Sequence, residues 1–293
     1  MNARKKKLLP QFLAASLSAL AMLAPLTAVT ANADTAPVDE AKEIVYYDSD
    51  VIFHGYGVME DANYYLYCDE VRAESYAVHP DAPTYGNGNS SLTNACGAIS
   101  GTNVVVFYDR YYPNILANFE PGMINGTYYD YFPDLSWTQT VSALESLYSL
   151  MKIPEVGGTT SANFRSGLAT FMSNRGYSTS YSSFYSSGTS VNLNTLIAAV
   201  NAGKVGVIMC STYNYLTSMN FGDGSVYFAK KKCYTGHIMM VYGYKTVGYY
   251  TDGVKIAEKT FLYVSSGYAT GTQGYMELND FSDIDEAWIV NVS

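Results

Sequence analysis

The chain has 293 residues, 48% of them hydrophobic and 15% charged, with 26 acidic against 17 basic side chains and a formal charge of −9. That acidic excess excludes the basic footprint needed to hold nucleic acid or an anionic membrane surface. The length supports one sizeable core, and neither a repeat nor a proline-rich or glycine-serine linker calls for two.

Arg4, Lys5, Lys6 and Lys7 precede an apolar stretch, residues 8–29, that ends in Ala31-Asn32-Ala33. This charged, apolar and small-residue layout predicts a secretory signal peptide over 1–33, cleaved after Ala33. Cleavage removes four basic residues and no acidic ones, taking the formal charge to −13. Pro10 and Pro25 make the stretch less uniformly apolar than a span of roughly 20 residues requires. The expected product is a secreted, extracellular chain, not held by membrane after cleavage, with 34–293 as a single domain and 34–80 as its strand-rich N-terminal extension.

Strand-like segments come first, over 44–56 and 63–67, followed by a polar turn region at 81–89 that carries proline and glycines. From Cys96 to Tyr112 the run is apolar and small, and Pro113 would stop a helix there. Val104, Val105 and Val106 favour a strand, whereas Gly97, Ser100 and Gly101 fall at i, i+3 and i+4 and would give a helix one small-residue face for close packing. The spacing therefore predicts a buried central helix.

Three further helices follow from apolar spacing. The first runs through Val141, Leu144, Leu147, Tyr148 and Met151, and the second through Phe164, Leu168, Phe171 and Met172 to Gly176. The third starts at an Asn192 N-cap, continues through Leu193, Leu196, Ile197 and Val200, and stops at Gly203. Residues 177–190, rich in serine and tyrosine, read as either an exposed strand or a loop.

Strands are then expected over 205–210, 237–244, 260–264, 274–278 and 287–290, with Thr251-Asp252-Gly253 as a hairpin turn. Helices first and an antiparallel sheet second predict an α+β fold. The 29 tyrosines suit strands with one wet face or a groove that grips a polymer.

The chemistry-bearing residues are few. Cys96 opens the central helix and His237 opens an apolar strand, the pair that makes a nucleophile if the fold joins them. Four cysteines in an exported chain could instead form two disulfides, but Cys96 is assigned here as a free thiol. Cys210 and Cys233 either pair or stay reduced and buried, and Cys68 has no evident partner. His54 and His79 read as structural. Asp280, Asp283, Asp285 and Glu286 lack the spacing of a calcium loop and read as a solvated charged turn, so no metal or organic cofactor is expected.

Asn94-Ala95-Cys96-Gly97, Gly101-Thr102-Asn103 and Tyr108-Asp109-Arg110-Tyr111 resemble the nucleophile helix of bacterial papain-like cysteine peptidases, in particular the bacteriocin-processing-peptidase-like branch. The resemblance extends through Arg175-Gly176-Tyr177, Ala202-Gly203-Lys204 and the run from Gly236-His237 to Gly243-Tyr244. It implies a papain-like fold, in which the nucleophile helix packs on an antiparallel sheet, with Cys96 as nucleophile and His237 as base.

Two positions depart from the family. Its histidine-orienting Asp or Asn lies in an apolar-x-Asp-Gly-Trp motif, and Ser266 stands there in Tyr263-Val264-Ser265-Ser266-Gly267-Tyr268. Its oxyanion-hole glutamine, six residues before the nucleophile, is replaced by Ser90, leaving neighbouring Asn89 as the candidate donor. The implied activity is peptide-bond hydrolysis through a thioester, on a peptide or protein substrate that includes cell-wall peptide. Two alternatives share the fold: a catalytically weak binding module for peptides or cell-wall polymers, and a peptidoglycan amidase or transamidase.

Overall fold

The computed structural model describes residues 41–47, 63–68, 70–79, 82–86, 91–112, 114–116, 122–124, 127–129, 138–154, 156–186, 190–220, 226–268, 274–278 and 282–293. The chain divides into two units, 1–41 and 42–293. The elements in chain order are β1 (Ala41–Tyr47), β2 (Asn63–Cys68), β3 (Glu70–Val78), α1 (Cys96–Asp109), β4 (Gly122–Ile124), β5 (Thr127–Tyr129), α2 (Thr138–Leu150) and α3 (Ser161–Ser173). They continue with β6 (Thr179–Ser183), β7 (Tyr185–Ser186), β8 (Ser190–Val191), α4 (Leu193–Asn201), β9 (Gly206–Asn220), β10 (Val226–Cys233), β11 (His237–Thr251), β12 (Val254–Ser265), β13 (Gly274–Leu278) and β14 (Asp283–Val292). The class is α+β, as the order of elements predicts.

Among the described residues the main sheet has eight strands, ordered β3-β11-β12-β13-β9-β14-β6 with β10 beside β9. The antiparallel pairings β11–β12, β12–β13, β13–β9 and β9–β11 close on themselves, so the middle of the sheet curls into a ring. Strand alternation divides β11 between two cores. Ile238, Met240 and Tyr242 join α1, α2 and α3 on one face, while Met239 and Val241 join Leu196, Ala199 and Val200 of α4 on the other. A strand buried on both faces reads as a continuous apolar run, which is the pattern from Ile238 to Val241.

The central helix is α1, and every one of its residues after Cys96 is buried. Burial on all sides overrides the strand preference of its three valines. The close approach expected of its small face is present. A Cβ on Gly97 would overlap the Thr159 side chain, and one on Gly101 would come within 2.8 Å of Met151 Cε and 3.3 Å of Leu147 Cδ1. The helix stops at Asp109, short of Pro113, in a turn where the Tyr111 and Tyr112 amides both donate to the Tyr108 carbonyl at 2.9 Å. Its C-terminal end is tied to β14, with Tyr108 Oη donating to the Val290 carbonyl at 2.5 Å and Tyr112 Oη to the Val292 carbonyl at 2.7 Å.

The other helices follow their signals. Asn192 caps α4, accepting from the Thr195 amide at 3.1 Å, and Thr160 caps α3 in the same way at 3.2 Å. Gly176 and Gly203 take φ of 86° and 75° after their helices, and Asp252 and Gly253 take 51° and 73° in the β11–β12 turn.

The strands depart more from expectation. β9, β11, β12 and β14 all run longer than their apolar centres, β3 falls in the strand-rich 34–80 segment without having been placed individually, and β10 was not anticipated. The 177–190 stretch contains β6, an edge strand paired with β14. The reading of a first strand over 44–56 is met only as β1, since 48–62 lies outside the described residues.

Candidate active site

The loop before α1 is fixed from within the helix. Asn103 is fully buried, and its side chain accepts from the Tyr85 amide at 2.8 Å and donates to the Tyr85 carbonyl at 3.2 Å. Asn94 sits at φ 54°, and Ala95 provides the helix N-cap position without a side-chain cap. The first-turn N–H groups are therefore left for other acceptors. The Cys96 sulfur meets the main-chain N–H groups of Ile238, Gly97 and Cys96, all of which favour a thiolate. Burial opposes them and prevails, holding the thiol above its ordinary pKa.

His237 begins β11 opposite Cys210 of β9. Its Nε2–H donates to the main-chain carbonyl of Ser266 at 2.5 Å. A carbonyl can only accept, so this bond assigns the proton to Nε2 and leaves Nδ1 with a free lone pair, the form of a general base. The Tyr268 ring lies almost parallel to the imidazole at 4.7 Å and 9°, and Tyr213 is nearly parallel at 5.9 Å and 15°. The two phenol oxygens are in contact with each other, and burial raises both phenols so that neither offers a charge to the imidazole. Burial lowers the His237 pKa to about 4, against the smaller upward pull of the Ser266 carbonyl.

Cys96 and His237 line one cleft of about 390 Å³, together with Asn94, Thr159, Cys210 and Asp285. The resting pair is thus a neutral thiol and a neutral imidazole. Burial disfavours each charged form, so any attack by this thiol would need its proton removed in the same step.

The predicted site residues fall as follows. Cys96 and His237 are brought to the same cleft. Ser266 does meet His237, but through its carbonyl; its hydroxyl instead donates to Tyr215 Oη at 3.0 Å and accepts from the Tyr268 amide at 3.3 Å. Asn89 lies outside the described residues, as do His54 and Asp280. His79 Nε2 hydrogen-bonds the Lys204 carbonyl at 3.0 Å and its ring packs on Phe107 at 4.9 Å, a structural placement.

Of the two alternatives for Cys210 and Cys233 the second holds: both are reduced and buried, the β9–β10 register setting Cys233 opposite Tyr213 rather than Cys210. One reading needs correction. Asp283, Asp285 and Glu286 do not form a turn but open β14. Glu286 accepts from Ser161 Oγ at 2.5 Å and faces Arg165 at 3.5 Å, whereas Asp285 joins the cleft. Tyr213 and Thr159 were not picked out from sequence, and Asp285 was read only as part of a charged turn; strand register places Tyr213 and Asp285 here, and the loop before α3 places Thr159. Tyr268 could have been, because it stands at the tryptophan position of the orienting motif.

Since the Ser266 carbonyl belongs to the main chain, Ser266→Ala is expected to leave the His237 titration midpoint within about half a unit of wild type. The same change costs about 1 kcal/mol of stability through the lost bond to Tyr215. NMR titration of the imidazole checks the first part, and a midpoint displaced by more than about one unit would transfer the orienting role to the hydroxyl. No protein-family model matches the chain, and no curated protein matches it.

Proposed function

We propose that the protein is a papain-like cysteine peptidase that hydrolyses peptide bonds through a thioester on Cys96. The observation that carries this reading is the His237 hydrogen bond: Nε2–H is committed to the Ser266 carbonyl, which leaves Nδ1 as the basic nitrogen of a ring that lines the same cleft as Cys96. His237 Nδ1 takes the thiol proton as sulfur attacks the substrate carbonyl, while the N–H groups around the sulfur favour the developing thiolate. The imidazolium then gives its proton to the departing amine, leaving an acyl-thioester. Water, deprotonated by His237, attacks the thioester and releases the acid and the thiol. Asn89 is the proposed second donor to the oxyanion.

The reading includes export, on the layout of residues 1–33, and a substrate that is a peptide or protein outside the cell, cell-wall peptide among them. The runner-up is a binding module on the same fold. The neutral resting thiol and the lack of an acidic side chain hydrogen-bonded to His237 among the described residues favour that second reading.

Time-dependent labelling with a peptidyl chloromethyl ketone, followed by mass spectrometry, separates the two. A peptidase is expected to be modified at Cys96 about 10³-fold faster than a model thiol at neutral pH, and Cys96→Ser to be inert. Labelling at the model-thiol rate would retire the peptidase in favour of the binding module.

A further inference from the structure

Resting on the peptidase reading, we infer that Asp285 selects a cationic side chain of the substrate, lysine or arginine, next to the scissile bond. The argument begins with strand register. Along β14 and β9, Ile284 is opposite Cys210 and Glu286 is opposite Met209, so Asp285 is an extra residue bulged out of the ladder. Asp283 pairs with Thr212, so Ser211 is skipped on the other strand. The two unpaired residues meet, with Ser211 Oγ 2.9 Å from both carboxylate oxygens of Asp285.

The bulge also breaks the alternation of β14. Ile284 and Ala287 pack in the same core cluster although three residues apart, and Glu286 is turned to Ser161 and Arg165 of α3. An unbroken strand could not place Asp285 as it now stands. Two strands deform together to set one carboxylate in the cleft, and bulges of this kind are how sheets re-aim a side chain beside a site.

The rest of the cleft gives that carboxylate nothing of opposite sign. Among the described residues lining it, Asp285 is the only one that carries a formal charge, His237 being neutral. A second feature of the cleft also points to a ligand. Thr159 lines it at 5% exposure, packed against Gly97 beside the nucleophile, and its hydroxyl has no hydrogen-bond partner among the described residues. A substrate chain held near Thr159, with a cationic group extended to Asp285, would satisfy both groups. The cation could also be a free peptide N-terminus, and the test separates the two sources.

The experiment uses acyloxymethyl ketone dipeptides that alkylate Cys96. Capped probes carry lysine, Nε-acetyl-lysine or glutamate at either residue, and a fourth, neutral probe has a free α-amine. The lysine probe is expected to label about tenfold faster than the acetyl-lysine probe, with glutamate slowest. Asp285→Asn should bring the lysine to acetyl-lysine ratio to about one, and Asp285→Lys should invert the preference toward glutamate. Should the charge-reversed variant not fold, raising ionic strength from about 0.05 to about 0.5 M must compress the wild-type ratio. Equal rates for all capped probes, with labelling still dependent on His237, would overturn the selectivity and leave the peptidase reading intact. A free-amine probe that reacts fastest, and depends on Asp285, would overturn the side-chain assignment in favour of N-terminal recognition. Failure of every probe to exceed a model thiol would remove the peptidase reading, and this inference with it.

Discussion

Replacing His237 with alanine is expected to slow alkylation of Cys96 by a peptidyl chloromethyl ketone by about 10²- to 10⁴-fold, the range set by loss of a positioned general base. The size of the effect follows from the resting protonation states. In a pair already ionised, removing the imidazole would cost only the stabilisation of an existing thiolate. Here burial keeps the thiol protonated and the imidazole neutral, so the variant loses the one imidazole base that lines the cleft among the described residues. The pH profile carries the same signature. The base must be neutral to act, so the wild-type rate should fall as pH drops through about 4 and be nearly level from there toward neutrality. In His237→Ala that limb disappears, and the rate climbs with hydroxide toward the raised thiol pKa. A wild-type limb near 6.5, the ordinary imidazole value, would refute the buried-neutral arrangement.

Asp109→Asn is expected to stabilise the protein by about 1 to 3 kcal/mol near neutral pH and to contribute nothing in strong acid. Asp109 is buried at the C-terminal end of α1, where the helix dipole disfavours an anion. Its Oδ1 accepts from the Leu116 amide at 2.6 Å, while Oδ2 has no partner among the described residues. Burial raises the carboxyl from 3.8 to about 6. The folded state therefore holds its proton more tightly than the unfolded chain, and stability declines as pH rises between these values, with the full penalty present above about 6. The amide keeps an acceptor for Leu116 and removes the charge. Denaturant unfolding of both proteins near pH 7.5 and near pH 3.5 measures the difference, and an equal gain at both would mean the carboxylate is not the cause.

Much of the fold and part of the site could be read from the residues, and the failures share a cause. Gly97, Ser100 and Gly101 disclosed a packed helix because their spacing is itself the packing surface. The central strands disclosed themselves by continuous apolar runs. β3 did not, since its described side chains from Arg72 to Tyr76 are exposed and it pairs with β11 through the main chain. Cys96 and His237 were visible as residue types with a chemistry. The partner of His237 was not, because a carbonyl is common to every residue and the sequence directs attention to the Ser266 side chain. Asp285 escaped for a related reason: a bulge is a property of two strands in register, and neither strand alone announces it.

The hydrogen bonds from α1 to β14 carry a consequence for synthesis. Tyr108 and Tyr112 are tied to carbonyls 182 and 180 positions further along the chain. The full set of contacts that hold the helix displaying the thiol is thus completed only once the segment 283–292 has emerged from the ribosome, and contacts so distant in sequence form late and slowly. A nascent chain lacking that segment carries the cysteine and the histidine but not the scaffold that aligns them. Any chemistry that the cysteine and the histidine perform together would in this way wait for the completed chain.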